Sequence, residues 1–451
     1  MKKVIFSFVL LFCLSQSNAF SAIQITSETD LLKLMNQVSP FDDWSADYEL
    51  TTDLDMTGYT ISSVPYPTNP IGNGATDFTG TFEGNSYNIN NLSILKPKIN
   101  DAANYNVGLF GSIGTGGSVS NLGVSNASIS GFMNVGVFCG GNEGSIYNCN
   151  SSGSVTNSLE YIGGFTGYNL NGSISRCYSS ASVNAEGNYV GGFCGSNDEG
   201  TINHCHSTGD VTCNGRGGGF CGENADGLII YCYSTGNVTG MQSLGGFCGY
   251  NFKFGGSGVS TISFCYSTGN ATSNVPNEEG GVDIGGFCSV SSGTINNCYS
   301  TGNAYGYSII GGFCAELWYL GTGIYLGTIT NCFSIGVPSA SGSGRIVGGF
   351  IGYETDGNTG IYECNFWGFQ NANLDDIGNK GDNANITELP IEEFADQSNF
   401  QCLDFNNVWM MRGSHPVLTE LTIPTLTEWA VSIFIGLLAI FGGWFLWRRM
   451  V

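Results

Sequence analysis

Positive charge is what this chain has least of. Its 451 residues include 13 Lys and Arg against 36 Asp and Glu. Four of the thirteen (Lys2, Lys3, Arg448 and Arg449) sit at the extreme ends, leaving nine for the body. Nucleic-acid and anionic-lipid binding need clustered cations, so no nucleic-acid partner is expected. Histidine occurs three times, and there is no His-Glu-x-x-His, no Ser-His-Asp pattern and no phosphate loop. Cys-x-x-Cys is also missing, which disfavours thiolate metal clusters. Charged residues make up 11% and proline only ten positions. What is abundant is glycine, at 69 residues, with 29 Phe and 21 Tyr. Glycine without a three-residue period excludes collagen, and that many rings exclude a disordered chain. Closely spaced turns in a folded all-β structure remain.

The two ends differ from the body. Lys2 and Lys3 precede an apolar run, Val4 to Leu14, that is too short to span a bilayer, and small residues Ser17 and Ala19 follow. That order reads as a secretory signal over 1–19, cut after Ala19 or alternatively after Ala22. Cys13 lies inside the run without a lipobox. At the other end, Ile423, Pro424, Thr425, Leu426, Thr427, Glu428 and Trp429 precede an uncharged stretch, 430–447, and then Arg448 and Arg449. The stretch is expected to form a transmembrane helix, since such a helix would rise about 27 Å. The Arg pair would lie on the cytoplasmic side, placing the body outside. The motif, the helix and the Arg pair resemble the IPTL-CTERM sorting signal, which is similar to the PEP-CTERM class handled by exosortase, a membrane cysteine transpeptidase. The resemblance covers about 27 residues. It implies an exosortase-type processing enzyme as partner, transient anchoring in the bacterial inner membrane, and display of the body at the cell surface.

Between the ends the chain repeats. Gly-x-Phe recurs at Phe110, Phe138, Phe165, Phe193, Phe220, Phe247, Phe287, Phe313 and Phe350, most often 27 or 28 residues apart. A fixed period of this length means stacked units that cannot bury their apolar faces alone. Short apolar runs broken by Gly and Asn read as strands with tight turns, about three per unit. The fold expected is therefore all-β: a parallel β-helix, or β-solenoid, of coils of about 27 residues, together with the one C-terminal transmembrane helix. Equivalent residues should form columns. Asn142, Asn169, Asn197, Asn224 and Asn251 read as an amide ladder at one turn. Gly144, Gly172, Gly200, Gly227 and Gly293 are expected to supply positive φ. Tyr178, His206, Tyr233, Tyr266, Tyr299 and Phe333 form a ring column, so His206 is a stacking residue rather than a metal ligand.

The units are similar to GLUG repeats, with Gly-Phe-Cys-Gly as the core here. Asp77 to Gly84 and Ile89 to Leu92 resemble the lead-in of such arrays, and Leu403 to Trp409 with His415 to Leu418 the closing cap. The likeness covers about residues 23–420. It implies a bacterial surface or secreted protein; such arrays also occur beside metallopeptidase domains, but that function does not carry over without His-Glu-x-x-His. The expected layout is a signal peptide at 1–19, an N-terminal cap and first coils at 20–100, the repeat solenoid at 101–370, a C-terminal cap at 371–420 and the sorting tail at 421–451.

Export permits disulfides. Two readings stand for the cysteines. One pairs them within copies, as Cys194 with Cys205 and Cys221 with Cys232, and lets Cys364 and Cys402 tie the final coil to the cap. The other makes them free thiols, small apolar fillers stacked in columns. In it, the columns are Cys149, Cys177, Cys205, Cys232, Cys265, Cys298, Cys332 and Cys364, and Cys139, Cys194, Cys221, Cys248, Cys288 and Cys314. Leu122 and Thr166 at cysteine positions favour the second.

No catalytic constellation is visible. Acidic pairs at Asp42-Asp43, Asp198-Glu199, Glu278-Glu279, Asp375-Asp376 and Glu392-Glu393 read as solvated turn charges. A turn column of Glu143, Glu199, Asp226 and Asp356 could hold Ca²⁺ weakly, though plain turn chemistry explains it, and no cofactor is expected. The period lengthens after Phe247 and after Phe313, and loops on a rigid solenoid are where binding usually resides. Trp318, Tyr319 and Tyr325 in the second loop could stack on a sugar or simply cover the core. The function expected is a non-catalytic, adhesin-like surface or matrix protein with a glycan or surface ligand; a structural coat component and a carbohydrate-active β-helix enzyme are the alternatives.

Overall fold

One coil, Asn188 to Cys213, shows the plan. Its strands are Asn188–Gly191, Cys194–Asp198, Thr201–Asn203, His206–Ser207 and Val211–Cys213. A computed structural model describes residues 22–59, 70–156, 158–253, 260–274, 283–318, 327–341, 344–355, 360–369 and 374–419. The chain divides into two compact units, 1–393 and 394–451. In the first, equivalent strands of successive coils pair in parallel. Sheet I holds the nine strands equivalent to Asn188–Gly191, from Tyr105–Val107 to Ile346–Gly348. Sheet II holds the nine equivalent to Cys194–Asp198, from Phe110–Ile113 to Ile351–Glu354. Sheet III has twelve, from Ile23–Ile25 to Ile361–Glu363, and the strands that end the coils, two short ones in most coils and a single longer one in others, complete the wall as sheet IV. The second unit carries a 3₁₀ turn, Gln397–Phe400, and an antiparallel hairpin, Trp409–Arg412 with His415–Leu418.

The six coils from Glu160 to Ala340 therefore have five strands where three short runs are legible, and the two before them and the one after have four. The paired glycines turn one apparent run into two strands. A Cβ on Gly191 would lie 2.0 Å from the Cys194 carbonyl oxygen, and one on Gly192 2.3 Å from that of Gly219. No side chain fits this corner, so Val-Gly-Gly-Phe-Cys-Gly bends from sheet I into sheet II. The second corner, from sheet III to sheet IV, uses another device. Asn121, Asn148, Arg176, His204, Tyr231, Phe264, Asn297, Asn331 and Cys364 all have φ between 51° and 56°. Asn tolerates this left-handed region best. Where bulky residues replace it, rings stack from coil to coil: His204 on Tyr231 at 4.8 Å and Tyr231 on Phe264 at 4.9 Å.

The interior is columnar. The Phe rings from Phe138 to Phe350 stack at 4.6 to 4.9 Å and within 11° of parallel. The ring column, exposed at Tyr178 and buried only at Tyr299 and Phe333, stacks through His206 at 4.6 to 5.1 Å. The amide ladder is present: Asn142 Nδ2 donates to Asn169 Oδ1 at 2.7 Å, Asn169 to Asn197 at 2.7 Å, Asn197 to Asn224 at 2.8 Å and Asn224 to Asn251 at 2.9 Å. The glycines beside it do not have positive φ. Their role is space, because a Cβ on Gly200 would lie 2.2 Å from Asn169 Nδ2 and 2.6 Å from Asn197 Oδ1. The positive φ belongs to the residue before, at Asn171, Glu199 and Asp226.

The cysteine pairing within copies is not formed. Cys194, Cys205, Cys221 and Cys232 are among fourteen free, buried cysteines, whereas Cys364 and Cys402 are disulfide-bonded. The thiols are hydrogen-bonding groups. From Cys149 to Cys298, each backbone N–H donates to the Sγ of the next cysteine in the column at 3.4 Å. In the other column Sγ donates to the carbonyl two residues on, at 3.2 Å for Cys194 and 3.0 Å for Cys221. The Thr166 hydroxyl makes the same bond at 3.5 Å. Cys364 does not belong to the first column. Phe333 pairs with Phe366, so Asn365 stands opposite Cys332 and takes the Cys332 N–H on Oδ1 at 3.0 Å. Cys364 occupies the left-handed corner one residue earlier.

The expected fold class is corrected in its membrane part. Among the described residues no helix is long and apolar enough to cross a membrane. The α-helix found among them, Glu28–Met35, has eight residues and would rise about 12 Å against about 30 Å of hydrocarbon. The segment 430–447, the signal at 1–19 and the motif Ile423 to Trp429 with Arg448 and Arg449 lie outside the described residues.

Two outcomes follow. Asn197→Ala leaves Asn169 without its acceptor and Asn224 without its donor, and should destabilise the protein by roughly 2–4 kcal/mol in chemical denaturation; Gly200→Ala should cost about 1–3 kcal/mol by overpacking. A thiol reagent should find fourteen thiols among Cys139 to Cys332 in denaturant without reductant, and almost none in the native protein.

Candidate binding site

Outside the columns, side chains are free to vary from coil to coil, and in one place they build a cavity. In sheet I, Asn106 and Asn134 hold left-handed positions, with Asn134 Nδ2 donating to Asn106 Oδ1 at 2.7 Å. The next two coils put Tyr161 and Tyr189 there, at φ 55° and 58°, with rings stacked at 5.2 Å. Arg216 follows. It donates to the Tyr189 hydroxyl at 2.6 Å, and its guanidinium lies 5.2 Å from the Tyr189 ring centre and 4.2 Å from that of Tyr250. Sheet II faces this row with Tyr168, Ser196, Glu223 and Tyr250, register partners in four successive coils.

A cavity of about 420 Å³ lies between the two rows. Tyr161, Tyr168 and Tyr189 form its apolar walls, with Ser196 and Ala225 beside them. Four carboxyl groups complete it: Asp198, Glu199, Glu223 and Asp226. The Tyr168 hydroxyl donates to Asp198 Oδ2 at 2.5 Å, and Ser196 Oγ donates to Glu223 Oε2 at 3.3 Å. Glu223 is only 6% exposed. Burial pushes its carboxyl up to about 7, opposed by the Ser196 hydrogen bond and Arg216 and helped by Asp198. Burial also raises the Tyr161 hydroxyl to about 12, and raises those of Tyr168 and Tyr189.

Further along the same two rows lies a second acidic place. Asp283, pushed up to about 6 by burial, is the register partner of Ile309 in sheet I. Glu316 in sheet II is pushed up to about 7, by burial first and Asp283 second.

The residues singled out from the sequence fare differently. Trp318 follows the strand Cys314–Leu317 and is 38% exposed. Its ring meets Phe252 edge-on at 5.7 Å, and Phe252 packs on Tyr250 at 4.9 Å, so it covers a local apolar cluster. Tyr319, Tyr325 and Asp356 lie outside the described residues. Asp198 and Glu199 line the cavity, with Asp198 half-buried and Glu199 exposed as expected of a turn charge. Asp376 is buried instead, accepting from Trp367 Nε1 at 2.6 Å and from the Asn383 N–H at 2.9 Å. Glu199 and Asp226 of the acidic turn column line the cavity, whereas Glu143 lies outside it. Among the described residues no group of three or more His, Cys, Asp or Glu is placed to hold a metal ion.

Comparison with known proteins bears on the coils that carry this cavity. Residues 133–156, 158–184 and 186–212 match the family model described as the GLUG motif. GLUG repeats are thus shown for these three coils. A 153-residue stretch, 33% of the chain, is 37% identical to halomucin of Haloquadratum walsbyi, and the match spans 2% of halomucin's length. Among solved structures, a candidate immunoglobulin A1 protease from Bacteroides ovatus superposes with a TM-score of 0.41 and 17% identity. The superposition covers 88% of this chain and 92% of that one, and is too loose to assign a fold or an activity. The GLUG coils supply Tyr161, Tyr168, Tyr189, Ser196, Asp198 and Glu199; Glu223 and Arg216 come from the coil after them.

The raised Glu223 carboxyl has a measurable consequence. Because the fold favours its neutral form, its contribution to stability is full below about pH 4.5 and is lost as pH rises through about 7. Asp283 and Glu316 act in the same direction. Glu223→Gln should therefore flatten the fall in Tm between pH 4.5 and 7.5 and leave the variant more stable than the parent at the upper end.

Proposed function

We propose that this chain is an exported, non-catalytic surface or extracellular-matrix repeat protein, adhesin-like, whose solenoid presents the tyrosine-and-carboxyl groove to a glycan. The observation that carries the reading is the cavity. It has the size of a small-ligand site, aromatic walls against which the apolar face of a sugar ring can lie, and polar groups for its hydroxyls. The GLUG repeats and the stretch shared with halomucin support a surface repeat protein. Export and exosortase-type processing at Ile423 to Trp429 with Arg448 and Arg449 complete the proposal. Processing is tested by the C-terminal mass of surface-extracted protein, where an intact Val451 would rule it out.

Non-catalytic is the preferred reading because the carboxyls have structural work: Asp198 holds Tyr168 and Glu223 holds Ser196. One observation favours a carbohydrate-active enzyme as second reading. A Glu near 7 is what a general acid for glycoside cleavage requires. Turnover of any bound glycan, lost in Glu223→Gln, would establish that second reading.

A glycan-array screen tests the binding role. At least one glycan should be retained, and Tyr189→Ala, which removes the stack on Tyr161 and the anchor of Arg216, should weaken it roughly tenfold or more. Absence of binding to every glycan would remove the adhesin reading and leave a structural coat.

A further inference from the structure

We propose that the cavity takes the protonated amine of an amino sugar, so that the glycan it recognises carries free amines. This rests on the glycan reading above and narrows it. The argument is the balance of donors and acceptors. Four of the nine lining residues are carboxylic, and none is Lys, Arg or His. The lining donors are hydroxyls, and those of Tyr168 and Ser196 are already given to Asp198 and Glu223. What the lining offers a ligand is weighted toward acceptors. An ammonium group has three N–H donors and no acceptor, and its bonds to carboxylates are charge-assisted. An acidic sugar would meet like charge at the carboxylates of the lining. A neutral sugar would use the tyrosine walls but make no charge-assisted bond to the carboxylates.

Two further observations exclude simpler occupants. A bare metal ion is a poor fit, because the described acidic residues are not placed to hold one and the cavity is about 420 Å³, room for a sugar unit. The chain's own cation does not fill the space either. Arg216 is turned onto the rings of Tyr189 and Tyr250 and is bonded to the Tyr189 hydroxyl, outside the lining. It shows that a cation is accommodated on this row of rings.

The test is titration calorimetry of the whole protein with a β-1,4-linked glucosamine tetramer and with its fully N-acetylated counterpart, at one pH near 6. The free-amine tetramer should bind at least tenfold more tightly. Glu199→Gln and Asp198→Asn should each bring that preference close to one, while Glu143→Gln, an exposed carboxyl outside the cavity, should leave it unchanged. Glu199 is exposed, so Glu199→Gln is expected to fold; native protection of the fourteen thiols confirms this for both variants. Equal binding of the two tetramers would overturn the amine proposal and leave the glycan reading standing. So would binding of the free-amine tetramer that neither cavity variant alters. If neither tetramer binds while other glycans do, the amine proposal alone falls; if no glycan binds at all, the glycan reading falls with it.

Discussion

The side-chain amide of Asn197 accepts from Asn169 and donates to Asn224, and neither bond survives unless all three coils hold the same backbone at the same height. That requirement propagates. It leaves no room for a side chain at Gly172, Gly200 and Gly227, whose Cβ positions would fall within 2.3 Å of a ladder amide. It also sets the coil spacing at which the neighbouring Phe rings stack, close to 4.9 Å, near the spacing of paired strands. A buried amide without its partner costs more than a made bond contributes, so the ladder acts mainly against misregistered coils.

The cysteines obey the same logic. A column of backbone N–H groups at the sheet III–IV corner needs an acceptor in the next coil, and Sγ provides it from Cys177 to Cys332. Asn365 shows that the requirement is for an acceptor rather than for sulfur, since its Oδ1 replaces the thiol where the column ends. A disulfide would spend the S–H donors that Cys194 and Cys205 give to carbonyl groups. Free thiols are thus part of the hydrogen-bond pattern, alongside their role as small buried fillers.

Much of this was legible because stacking makes equivalent residues recur. The Phe, Asn and ring columns are read from period alone. Period does not show why a residue is there. Gly200 looks like a turn glycine, yet the positive φ lies at Glu199 and the glycine yields space to two amides. Cys364 falls in the right sequence neighbourhood for its column, but a one-residue shift in the last coil places Asn365 there. The cavity was hidden for a related reason. Tyr161 and Tyr189 occupy only two coils of their column, and their partners Tyr168, Glu223 and Asp198 come from different coils, so no single repeat spells the site.

The function follows from this division of labour. The columns specify the interior and repeat; the positions they leave free carry whatever the protein recognises. In this chain they gather three tyrosines and four carboxyl groups around one cavity. Everything rests on the amide ladder holding those coils in register, and native-state hydrogen exchange reads that directly. The account predicts the slowest backbone exchange in the coils from Phe165 to Asn251, slower than in the coils around Ile113 and Ser291, where the ladder lacks asparagine. Uniform protection along the array, or slowest exchange outside the ladder, would contradict it.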